Sequence, residues 1–238
     1  MSRAQSLNNR EYYYNNQMAA LAEADLAAMA SPLGMAADAE GRVPVKFFGR
    51  DYLVTSGGVE AVGGHPTTND HKSVIAHYLT NGGSGELTGE YVPIGRLTGM
   101  VQTGANPSGD LTAPLTERFG DKYEAFAEAA RKVGGQHEGR SPSGGEAWLF
   151  KPLPKLPIQI VFFEADDEFP AEVKVLFDSS ATKFVSYECL EVMEIVLVVE
   201  LLGAVGLLGC GHHGAGGCDG GGGCEGHGHE GECCTHHK

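Results

Sequence analysis

The chain has 238 residues, 42% of them apolar and 20% charged, with a formal net charge of -14. That length and apolar share suffice for one large domain or two small ones with a buried core, and they exclude disorder throughout. The acidity excludes nucleic acid, since nothing could neutralise a row of phosphates, and it excludes anionic membrane surfaces for the same reason.

The opening stretch MSRAQSLNNREYYYNNQ has no apolar run behind its arginines, so no secretory signal is expected. Ala, Leu and Glu content predicts a helix over Ala4 to Met29, ended by Ser31-Pro32. VPVKFFGRDYLVT holds two short β-rich runs around Gly49-Arg50-Asp51 and predicts a hairpin. Asn69-Asp70 opens a helix whose Val74, Ile75, Tyr78 and Leu79 share a face, and Asn81-Gly82-Gly83 stops it. A strand is predicted at GEYVPIG, then a loop at TGANPSGDLTAP, then an amphipathic helix in DKYEAFAEAARKVGG.

LPIQIVFF predicts a strand buried on both sides, with Ile158, Ile160 and Phe162 on one face and Val161 and Phe163 on the other. After the acidic turn EADDEFP, AEVKVLF alternates Val173, Val175 and Phe177 against Glu172 and Lys174, as a half-exposed strand does. Asp178-Ser179-Ser180 turns the chain. Ser186 then caps a helix from Tyr187 to about Leu202 with Leu190, Met193, Leu197 and Leu201 in one stripe. The apolar run Ile195–Gly209 is short for a membrane span and contains Glu200, which makes it a buried helix.

Few body residues suggest chemistry. Glu164, Asp166, Asp167 and Glu168 form either a solvated turn, a hard-cation site, or a setting for one carboxyl of raised pKa. Asp178, between Phe177 and Ser179, reads as a buried or a capping carboxylate, with capping the expectation. His71 and His77 are six apart and do not share a helix face as an i, i+4 metal pair would. His77 is expected at the core boundary, with His65 and His137 in loops. Cys189 reads as a small buried side chain or a low-pKa thiol, and Trp148 with Phe150 as a packing anchor. Gly209–Gly214 satisfies G-x-G-x-x-G without the strand-turn-helix context of a dinucleotide site.

The segments HYL, LTGEYVPIGRL and LPKLPIQIVFFEADDEFPAEVKVLFDSSA, with the closing helix, resemble a family catalogued as domain of unknown function 3786. DDEFPAEVKVLFD is the specific part of the resemblance. It covers nearly the whole body and implies a cytoplasmic setting in anaerobic bacteria or archaea, where some members are fused to iron-sulfur modules. It brings no established activity or catalytic residues, and the Cys/His tail is an addition to the family's commonest form.

That tail holds Cys210, Cys218, Cys224, Cys233 and Cys234, with His212, His213, His227, His229, His236 and His237, among eleven glycines. Thiolate and imidazole are the donors that nickel, zinc and cobalt select. In a chain without a secretory signal they read as metal ligands in a reducing compartment, not as disulfides. At four ligands per ion the donors suffice for roughly two or three ions. No C-x-x-C pair occurs, so the set suits storing or handing on an ion better than fixing one. It is similar to the Cys/His-rich extensions of nickel-handling prolyl isomerases and hydrogenase-maturation proteins.

The expectation is an α+β fold. One domain over residues 5–208 would carry a mixed or antiparallel sheet and flanking helices, followed by a disordered metal-binding tail, residues 209–238. The leading functional reading is a non-enzymatic accessory protein that carries nickel or zinc, with cobalt possible, to an unidentified metalloenzyme or maturation protein. The alternative is an enzyme or cofactor-binding protein with its site near the acidic turn, residues 164–168.

Overall fold

The structure, a computed structural model, describes residues 3–97 and 109–206. All eleven predicted metal ligands, and residues 103–108 of the predicted loop, lie outside them.

At the N-terminus the expected single helix is two. The first, α1 (Arg3–Glu23), ends before Asp25, whose carboxylate accepts the Ala28 N–H at 3.1 Å and starts α2 (Leu26–Ala30). A short acidic side chain competes with the helix backbone for its own N–H groups, which is why the break falls there. Leu21, Leu26, Ala30 and Leu33 are buried on the inner side.

Next comes a three-stranded antiparallel sheet: β1 (Val43–Phe47), β2 (Arg50–Thr55) and β3 (Gly58–Ala61). Phe47 pairs with Arg50, so the hairpin loop is the two residues Phe48 and Gly49. Both have positive φ, 45° and 76°, as the mirror-image hairpin turn requires. Gly49 takes this at no cost, whereas Phe48 does not, and among the described residues it is the one non-glycine with positive φ. The third strand is not marked in the sequence, because its four residues begin at the second glycine of Gly57-Gly58 and are soon followed by Gly63-Gly64.

The larger sheet is also antiparallel, in the order β4-β8-β7-β6-β5. Its strands are β4 (Tyr91–Pro93), β5 (Gln136–Arg140), β6 (Glu146–Leu153), β7 (Leu156–Phe163) and β8 (Glu172–Asp178). Central β7 is buried on both sides at Ile158, Ile160, Val161 and Phe162, as its unbroken apolar run predicts, and Phe163 is half-buried. β5 and β6 were unforeseen as strands. QHEGR contains no apolar residue, and Pro152 and Pro154 punctuate the end of β6. His137 therefore stands on an edge strand, not in a loop; its partners there are His137–Trp148 backbone pairing and the Glu146 side chain.

Helices cover the sheets. α3 (Asn69–Thr80) buries Val74, Ile75, Tyr78 and Leu79 on the predicted face. A short α4 (Ile94–Leu97) follows β4. Residues 109–114, expected in a loop, instead begin α5 (Gly109–Phe119). Pro114 lacks the N–H for one helical bond, but Thr112, Leu115 and Phe119 on one side are buried, and that packing overrides the local preference. α6 (Tyr123–Lys132) presents Phe126, Ala127, Ala129 and Ala130 to the core. α7 (Tyr187–Ala204) starts at the Ser186 cap, buries Leu190, Met193, Leu197 and Leu201, and packs against α3, α5 and α6. The fold is α+β, as expected.

Candidate functional site

The second half of α7 is apolar except for Glu200, so this carboxylate must find a partner inside. Glu200 does, with its side chain only 6% exposed. Arg50, the first residue of β2, donates both arms of its guanidinium, Nη1 to Oε1 at 2.8 Å and Nη2 to Oε2 at 2.7 Å. This fork-to-fork pairing is the strong geometry for arginine and carboxylate. His71, in the first turn of α3 and equally buried, places Nε2 2.9 Å from Oε1. Its Nδ1 faces two donors of Thr68, the hydroxyl at 2.7 Å and the backbone N–H at 3.4 Å. Nδ1 thus accepts, which assigns the ring proton to Nε2, where it is donated to Glu200. Three elements far apart in sequence are tied at one carboxylate.

Beside this seam two clefts meet. One, of about 350 Å³, lies where the hairpin tip Phe48-Gly49 faces the end of β6 and the end of α6. The other, of about 270 Å³, is walled by Arg50, Glu200, Lys132 and the last residues of α7. Phe48, Gly49 and Val133 line both, so the clefts run into one another. The chain presses close here: a Cβ at Gly135 would fall 2.7 Å from the Phe150 ring, so only glycine lets α6 lead into β5 over that side chain.

A second polar cluster lies on the β5 side of the large sheet. His137 Nε2 is 2.8 Å from Glu146 Oε2 and 3.4 Å from the Tyr123 hydroxyl, which also accepts the Trp148 indole N–H at 3.3 Å. The Arg131 guanidinium lies 5.5 Å from the centre of the Trp148 ring. Trp148 is fully buried, the packing anchor its sequence context predicts.

The remaining singled-out residues are structural. His77 Nε2 accepts the Ser186 N–H at 2.9 Å, and Nδ1 is 3.0 Å from Gln17 Oε1. Burial lowers its pKa, with the charge of Glu188 opposing. Cys189 is wholly buried and burial pushes its thiol up to about 12, so it is an inert side chain of the core and not a reactive thiolate. Asp178 is buried at the end of β8 and does more than cap. Burial opposes its charge, but N–H groups of Ser180, Thr88 and Gly89 and the hydroxyls of Ser180 and Thr88 converge on it and hold its pKa at about 2. His65 lies in a loop, as expected, with Nε2 3.0 Å from the Asp51 carbonyl.

The acidic turn is a solvated one. Residues 164–168 are exposed, and Asp166 accepts the N–H groups of Phe169 at 2.7 Å and Glu168 at 2.9 Å. Those bonds lower the Asp166 pKa, the opposite of the raised carboxyl that acid–base work there requires. Among the described residues no group of three or more His, Cys, Asp or Glu is placed to hold one metal ion, and no helix is long and apolar enough to cross a membrane.

The Arg50–Glu200–His71 constellation was not foreseen. Its signal was Glu200 inside an apolar run, but nothing local names partners 150 and 129 residues away.

A family model described as domain of unknown function (DUF3786) matches residues 25–200, which include the clefts' hairpin, β6 and all but the last turn of α7. No curated protein and no solved structure matches the chain.

Proposed function

The chain belongs to the DUF3786 family, and we propose that within it this protein is a metal-binding accessory protein. It would carry nickel, or else zinc or cobalt, in the cytoplasm of an anaerobe and hand the ion to a metalloenzyme or a maturation protein. The observation that carries this reading is the donor set after residue 209: five cysteines and six histidines spaced by eleven glycines, with no C-x-x-C pair. Such donors match borderline and soft ions, and glycine lets the chain wrap an ion without steric penalty. Irregular spacing offers several ligand sets of similar energy, which favours exchange over permanent capture. In the body, the Arg50, Glu200 and His71 side chains are engaged with one another.

Calorimetric titration with Ni²⁺ and Zn²⁺ tests the proposal, using the full chain and a chain lacking Cys210–Lys238, at two pH values. More than one ion per full-length chain is expected, with graded affinities that weaken below about pH 6 as imidazoles take up protons. Truncation should abolish the binding. One tight, slowly exchanging ion that survives truncation would place the metal in the body and overturn the reading.

A further inference from the structure

The joined clefts differ in sign from the rest of the molecule. In a chain of net charge -14, four of its 17 basic residues, Lys46, Arg50, Lys132 and Lys151, line them, while the one lining carboxylate, Glu200, is already bound to Arg50. Lys46 pairs with Asp51 at 2.8 Å, and Lys132 with Glu128 at 2.7 Å and the Ala204 carbonyl at 3.3 Å, exposed contacts that exchange at little cost. Among the described residues Lys151 pairs with no carboxylate, and it lies where the β6–β7 register shifts, an irregularity of the kind that re-aims a side chain. From the opposite wall Phe48 enters with its positive φ, and backbone strain in a bulky residue gathers at binding sites more than elsewhere. Two backbone irregularities from different sheets thus meet at one basic groove.

We infer that this groove binds a small phosphorylated molecule. Cleft volumes of about 350 and 270 Å³ suit a small ligand and not a protein segment. The available cations are lysines, point charges indifferent to ligand planarity, whereas the only arginine has its fork occupied by Glu200. A tetrahedral phosphate fits that supply better than a planar carboxylate, which arginine takes best. Phe48, Val133, Leu149 and Pro152 offer an apolar wall for the rest of the ligand.

The test titrates inorganic pyrophosphate, as the probe, into full-length metal-free protein followed by amide NMR, so that the result does not depend on the metal reading. Saturable shifts at Gly49, Gly134 and Lys151 are expected, weakening as salt is raised. Lys46→Glu with Lys151→Glu should weaken binding at least tenfold, whereas Lys183→Glu, an exposed lysine outside the groove, should leave it unchanged. If the double variant does not fold, the shift map of the native protein decides alone. No binding at millimolar pyrophosphate, shifts located elsewhere, or equal loss in both variants would overturn the inference.

Discussion

Glu200 on α7 and the carboxylates of residues 164–168 bear the same charge and do opposite things. Glu200 is buried and saturated by Arg50 and His71, so the surrounding packing depends on it. The acidic turn is exposed, and the Asp166 carboxylate serves the turn's own backbone at Glu168 and Phe169. Four charges in five positions attract attention in a sequence, while one charge in an apolar run passes as an interruption. Physically the second is the consequential one, because burial makes an unmet charge expensive and water makes an exposed one cheap.

The largest effect should come from breaking the buried seam. Glu200→Ala leaves the buried His71 N–H facing a cavity and the half-exposed Arg50 guanidinium unpaired, and should cost about 3 kcal/mol. Urea unfolding measures it. Combining Glu200→Leu with Arg50→Met removes both charges and should recover much of the loss, since an apolar replacement needs no partner. A single-variant loss below about 1 kcal/mol would mean that water reaches the seam and the contrast with the acidic turn disappears.

Asp178 stands between the two extremes, buried yet met by uncharged donors, two from neighbouring Ser180 and three from distant Thr88 and Gly89. Its pKa is held at about 2 in the folded chain against an ordinary 3.8. The native state therefore refuses a proton that the unfolded chain accepts. The resulting stability, about 2 kcal/mol, is fully present above about pH 4 and is lost as pH falls toward 2. Asp178→Asn puts an NH₂ among five converging donors and should cost about 2 kcal/mol at pH 7. It should also flatten the acid limb of stability measured between pH 2 and 7. An unchanged acid limb would show that another carboxylate carries it.

What the sequence made legible follows the range of the interactions involved. α3, β7 and α7 were readable because each carries its own evidence: a cap, a period and a stop, or an unbroken apolar run in β7. β3 and β5 were not, since glycine flanks one and no apolar residue marks the other; both exist because a neighbouring strand offers them a ladder. Pro114 hid α5, whose burial of Leu115 and Phe119 only tertiary packing supplies. The groove was least legible of all. Lys46 and Lys151 become neighbours of one cleft only when the hairpin of one sheet meets β6 of the other.

The smallest effect is expected at the acidic turn, where Asp166→Asn with Asp167→Asn should change stability by less than about 0.5 kcal/mol. Asparagine keeps an acceptor oxygen for the Phe169 and Glu168 N–H groups, and the exposed charge of Asp167 interacts mainly with water. Removing two of the chain's 31 acidic residues moves the net charge from -14 to -12, which leaves solubility intact. Nickel stoichiometry should also stay the same, because carboxylates compete poorly with eleven thiolate and imidazole donors for such an ion. Denaturation and metal titration on the same double variant read both quantities. Loss of one bound nickel per chain would move a metal site to this turn, reverse its ranking against Glu200, and favour an enzyme or cofactor-binding body over a carrier.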